Sequence, residues 1–152
     1  MKKSIFAVDM VKHLYIIAGC NGAGKTTASK TILPKSLLVK EFVNADINLV
    51  RRAQREGYMV HVLFFWLNSV ELAKRRVADR VASGGHNIPL SVIERRYQAG
   101  LRNLFQIFMD EVDVWVIYDN SNNKGERVAF GGKAIPTKIK DKLKFNKIKS
   151  YE

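Results

Sequence analysis

Leu14-Tyr15-Ile16-Ile17-Ala18-Gly19-Cys20-Asn21-Gly22-Ala23-Gly24-Lys25-Thr26-Thr27 is the most constrained stretch of the chain. The apolar run Leu14 to Ile17 suits a buried parallel strand. Gly19 to Thr26 then matches the spacing G-x-x-x-x-G-K-[ST], and Thr26 to Leu33 suits a helix that Pro34 stops. Glycines let the backbone turn so tightly that successive N–H groups converge on one anion. The helix that follows adds its positive N-terminal end. Lys25 is then expected to reach the β- and γ-phosphates of a nucleotide, and the Thr26 hydroxyl to hold Mg²⁺. The expected nucleotide-binding residues are Gly19, Cys20, Asn21, Gly22, Ala23, Gly24, Lys25, Thr26 and Thr27, with Cys20 a small loop filler.

Working outward, Phe42-Val43-Asn44 is a weak strand candidate, and Ile47 to Glu56 reads as a helix stopped by Gly57. Tyr58 to Leu67 is the strongest strand, apolar and aromatic except for His61. Asn68 with Glu71 predicts a capping box for a helix to about Ser83, which Gly84-Gly85 ends. Ser91 with Glu94 predicts a second box, for a helix to about Met109. Val114 to Tyr118 is the next strand, and Val128-Ala129-Phe130 reads as an edge strand. Strands alternating with helices predict an α/β fold with a parallel sheet flanked by helices.

The chain has 152 residues, with 26 Lys and Arg against 14 acids and a net charge of +12. That length suits one domain, and the average composition excludes disorder and a membrane bundle. The charge excess either draws a polyanion or serves solubility. Nine Lys and Arg but three acids lie in residues 121–152. The division expected is a nucleotide-binding unit over residues 1–130 and a basic C-terminal arm over 131–152, either a weak helix or solvated. Nucleic acid could bind such an arm, although Phe145 and Tyr151 are few aromatics for base stacking. One cysteine excludes an internal disulfide. Asp9, Lys12 and His13 interrupt the apolar start, so it does not read as a signal peptide. No apolar run reaches membrane-spanning length. The expected location is the cytoplasm, with no membrane partner.

Two arginines have the placement to look at a phosphate. Helical geometry makes Val70, Ala73, Val77 and Val81 one stripe, with Arg76 and Arg80 beside it. Arg80 has no carboxylate three or four residues away, whereas Arg75 can pair with Glu71 and Asp79. On the next helix, Ile93, Tyr97, Leu104 and Phe108 form the apolar face, and Arg96 borders it. Arg80 and Arg96 are therefore the candidate phosphate clamps, against the plainer reading of surface charge. Gly84 to Pro89 between them could serve as a hinge. Asp46 follows the weak strand at the edge where open parallel sheets bind ligands. It is the candidate base toward a substrate hydroxyl, and a turn residue otherwise. Asp119-Asn120-Ser121-Asn122 reads as a turn, and His61 as a core or sheet-face histidine.

These pieces resemble the zeta-toxin-like family of P-loop kinases. The resemblance rests on Ala18 to Thr27, Phe42-Val43-Asn44-Ala45-Asp46, Gly57-Tyr58 before Leu63 to Leu67, Arg76-Val77 and Arg80-Val81, Gly84 to Pro89, Arg95-Arg96-Tyr97 and Tyr118 to Ser121. It implies a P-loop NTPase-like fold and an ATP-dependent kinase of a small molecule such as UDP-N-acetylglucosamine, held by a small antitoxin protein. It also implies ATP and Mg²⁺ at Lys25 and Thr26, Asp46 as base, and Arg80 and Arg96 as clamps. The sequence departs from the family in one place. Family members carry a helix and a strand ending in Glu-Thr-Thr between the Asn-Ala-Asp motif and the Gly-Tyr strand. Here Asp46 is followed almost at once by Arg51 to Tyr58. The sheet is thus expected to have one strand fewer than the family, with catalysis impaired more than nucleotide binding. The alternative is a non-catalytic nucleotide- or nucleic-acid-binding module using the basic arm.

Overall fold

Five strands form one sheet in the order β1 (Lys12–Gly19), β2 (Tyr58–Trp66), β3 (Val114–Asp119), β4 (Glu126–Gly132) and β5 (Ile135–Ile139). The computed structural model describes residues 11–32 and 46–152. β1, β2 and β3 pair in parallel, with Ala18 beside Phe64 and Phe64 beside Ile117. β4 and β5 then add antiparallel. The sheet is therefore mixed, which corrects the expectation of a parallel one. Val128-Ala129-Phe130 is not an edge, because β4 lies between β3 and β5. The strand candidate Phe42 to Asn44 lies outside the described residues. Among the described residues β1 has β2 as its one strand neighbour.

The parallel strands need helical crossovers, and the sequence supplies them. α1 (Lys25–Ile32) follows the glycine loop, and α2 (Ile47–Arg55) leads into β2 through Gly57 at φ +84°. α3 (Val70–Ala82), α4 (Leu90–Asn103), a π-helical turn (Leu104–Phe108) and α5 (Met109–Glu111) connect β2 to β3. The expected helix to about Met109 thus runs on to Glu111, with a π-helical turn inside it.

Both capping boxes are also corrected. Ser69 rather than Asn68 caps α3, its hydroxyl accepting the Leu72 N–H at 3.2 Å. The Asn68 backbone is committed elsewhere: its N–H donates to the Ser121 hydroxyl and its carbonyl accepts from Lys147. Pro89 precedes α4, and its carbonyl accepts the Val92 and Ile93 N–H groups, so the helix starts before Ser91 can act as a cap.

Residues 131–152 are part of the same body. α6 (Lys142–Lys149) is capped by Asp141, which accepts the Lys144 N–H. Ile148 is fully buried, the ring of Phe145 meets Phe105 edge-on, and Tyr151 meets Tyr97. The solvated arm gives way to a strand and a packed helix. The boundary expected between residues 130 and 131 falls inside β4. Beneath α6, Trp66 donates its Nε1–H to the Tyr97 hydroxyl, which donates to the Leu67 carbonyl at 2.6 Å. Both polar handles of these buried aromatics are satisfied, which is the condition for placing them in a core. Burial pushes the Tyr97 phenol well above its ordinary range.

Candidate phosphate site

β1 ends in a loop whose backbone only glycine accommodates easily. Gly19 and Gly24 hold φ of +138° and +76°. A Cβ on Gly19 would lie 2.3 Å from the Phe65 carbonyl oxygen, and one on Gly24 would lie 2.7 Å from the Asn120 amide nitrogen. Both glycines therefore serve close approach as well as a left-handed conformation.

Four carbonyls of this loop are held by side chains. The Lys25 ammonium donates to Gly19 O at 2.9 Å and Cys20 O at 2.8 Å. Asn120, buried just past β3, donates its Nδ2–H to Ala23 O at 2.8 Å. Arg76 reaches from α3 to Gly22 O at 3.4 Å, and donates to the Asn120 and Ser121 carbonyls at 3.0 and 2.7 Å. With Ala23 O fixed by Asn120, the planar trans peptide turns the Gly24 N–H to the opposite side. The loop is thereby braced from outside before any ligand arrives. Asn21 Nδ2 is buried with no protein acceptor.

Cationic side chains dominate the electrostatics of this loop. Burial is the largest influence on Lys25 and lowers its pKa; the positive charges of Arg80 and Arg96 lower it further, against the opposing effect of Cys20. Arg80 lies on the exposed side of α3 and donates to the His86 carbonyl at 3.1 Å, which ties α3 to the Gly84 to Pro89 segment. Arg96 is exposed on α4. Carbonyl dipoles answer these cations only in part. An incoming phosphate would relieve their mutual repulsion. Thr26 and Thr27 are exposed on the first turn of α1, the end where the helix dipole is positive.

Cys20 is buried and its thiol is pushed up to about 11, by burial first, against the pull of Lys25 and Arg76. It is a filler and not a nucleophile at neutral pH. Among the described residues no group of three or more His, Cys, Asp or Glu could hold a metal ion. Magnesium carried by nucleotide phosphates and one hydroxyl does not need such a group.

The structure sets Lys25 against the loop carbonyls, and Arg80 and Arg96 on the exposed sides of α3 and α4. Asp46 appears in a different role, as the N-cap of α2, accepting the Leu49 N–H at 2.9 Å. Asp119 forms the expected turn: its Oδ1 accepts from the Ser121 N–H and hydroxyl, while its Oδ2 pairs with Lys144 of α6 at 2.9 Å. Burial alone would raise this carboxyl. The Ser121 and Lys144 hydrogen bonds outweigh it and hold the pKa below the usual range. His61 sits on the sheet face, its Nε2 2.9 Å from His13 Nδ1 and its ring stacked on Tyr15. Burial, then the His13 charge, lower its pKa.

Sequence reasoning placed Arg76 beside the buried stripe but not on the loop, and it missed Asn120. The signal for Arg76 was its position one turn nearer than Arg80 to the N-terminus of α3, which faces the loop end of β2. Asn120 carried a weaker one, being the first residue beyond a strand end that parallels β1.

No family model matches the chain. A protein of Haemophilus influenzae, described as uncharacterized, is 35% identical over 54 residues. The match takes in 36% of this chain and 39% of that protein, so the chain spans about two fifths of the relative's length. No helix among the described residues is long and apolar enough to cross a membrane.

Proposed function

We propose that the chain is an ATP·Mg²⁺-binding protein of the zeta-toxin-like P-loop kinase kind. The observation that carries the reading is the braced glycine loop, with Lys25 at its centre and Arg80 and Arg96 within electrostatic reach. Lys25 would release its two carbonyls to meet the β- and γ-phosphates, a charge-assisted exchange. Thr26 would supply the hydroxyl for magnesium, and the ion would supply neutralisation of phosphate charge. Backbone N–H groups of the glycine loop, with the positive end of α1, would face the anion. Arg80 and Arg96 would close on the outermost phosphate from α3 and α4.

Phosphoryl transfer needs neutralisation and positioning. The first is supplied by Lys25, Arg80 and Arg96. The second is weak: one Asp46 oxygen caps α2, and among the described residues Glu56, which lies past α2 and is paired with Arg52, does not replace the Glu-Thr-Thr unit. A misplaced reacting group costs about a hundredfold in rate. The expected behaviour is ATP binding with slow or no phosphorylation of UDP-N-acetylglucosamine. A coupled kinase assay with Asp46→Asn as control checks this. Asparagine keeps the helix cap while removing the base, so robust turnover lost in that variant would show a working catalytic site and overturn the impairment.

A further inference from the structure

The charge pattern of β4, β5 and α6 is uneven. Lys144 alone contacts three carboxylates, Asp119, Glu126 and Asp141, at 2.9, 3.3 and 3.8 Å. Lys149 takes Glu152. These use every acid of residues 126–152. Arg127, Lys133, Lys138, Lys140 and Lys142 remain exposed without an ion pair among the described residues. Beside them stand two apolar side chains that the fold leaves in water: Leu143 at 85% exposure and Ile139 at 39%. Among the described residues β5 is also the sheet's terminal strand. Lys140 donates its N–H inward to Val128 O. Strand alternation therefore turns the N–H and C=O of Ile139 to the open edge.

We propose that this edge captures an acidic, extended segment of another protein, which adds as a sixth strand beside β5. Backbone groups of Ile139 and of residues alternating with it would supply register, Lys138 and Lys140 would meet carboxylates, and Ile139 with Leu143 would receive apolar side chains. Charge complementarity selects this occupant. A second copy would set Lys138 and Lys140 against the same lysines, the arrangement that guards natural edges from self-pairing. Nucleic acid fits less well because the nearby aromatic rings are not open to stack on bases: Phe130 lies under Arg127, Phe145 on Phe105 and Tyr151 on Tyr97.

The test uses fluorescence anisotropy with three labelled probes: a peptide of alternating Glu and Val, the same peptide N-methylated at every second amide, and a single-stranded oligothymidylate. The plain peptide should bind the full chain, and N-methylation, which removes edge hydrogen bonds but no charge, should weaken it about tenfold or more. The double variant Lys138→Glu, Lys140→Glu should lose the peptide while Lys25→Ala retains it, each checked by circular dichroism. Equal binding of both peptides overturns strand addition whether or not the double variant folds. No peptide binding, with or without oligonucleotide binding, overturns the proposal outright.

Discussion

The loop after β1 and the helix α6 are both rich in cations, and they balance them in opposite ways. At the loop, Lys25, Arg76 and Arg80 are held by backbone carbonyls, which carry no net charge. At α6, Lys144 sits among three carboxylates. A carbonyl orients a cation yet leaves its charge available to a ligand, whereas a carboxylate neutralises it. The difference leaves the cations of the loop uncompensated by carboxylates, and makes Lys144 a fastening. Lys144 also joins the two regions, since Asp119 immediately precedes the Asn120 that braces the loop.

The largest expected effect tests the fastening end. If α6 is core and not an appendage, Ile148→Ala should destabilise the fold by about 2–5 kcal/mol, read from chemical denaturation. A loss within about 0.5 kcal/mol, ordinary for a surface site, would return residues 131–152 to the status of an arm. Next comes the brace. Arg76→Ala removes a charged donor from three carbonyls and should cost about 1.5–3 kcal/mol of stability. It should also weaken ATP binding, since the loop loses its outer support. Lysine should not rescue it, because it lacks the rigid fork whose two terminal nitrogens reach Gly22 O on one side and the Asn120 and Ser121 carbonyls on the other.

Lys144→Ala sharpens the contrast further. The carboxyl of Asp119 is held below its ordinary value in the fold, so its ionised form stabilises the fold at and above the ordinary carboxylate range. That stability is lost as pH falls through the depressed value. Without Lys144 the carboxyl moves back up, and acid unfolding should begin at higher pH. At neutral pH the cost should be about 1–3 kcal/mol, discounted because the ammonium is partly in water. ATP affinity should change less than it does in Arg76→Ala. Equal loss in both would mean that the two regions are one unit and the comparison fails.

What the sequence revealed follows the same division. The loop, α1 and the apolar strand β2 were legible because glycine spacing and continuous hydrophobic residues leave few alternatives. β5 was not, since Pro136, Lys138 and Lys140 suit an edge strand but also suit a solvated arm. The anchoring of α6 rests on Phe145, Ile148 and Tyr151, three positions in a basic background that reads as polar. The bracing of the loop was half legible. Helical geometry sets Arg76 and Arg80 beside the α3 stripe, but the carbonyl partners of Arg76 and Asn120 have no sequence signature, because every residue offers a carbonyl. Asp46 illustrates the converse, a carboxylate whose position suits a base and whose seen contact is a helix cap.

The most direct measurement is an isothermal titration of ATP·Mg²⁺ into the intact chain and into Lys25→Ala. The charge-assisted contact to the phosphates is worth roughly 1.5–3 kcal/mol, so the substitution should weaken binding by about ten- to a hundredfold at 1.4 kcal/mol per decade. Unchanged affinity in a folded Lys25→Ala, or no ATP binding by the intact chain, would contradict a phosphate-binding loop.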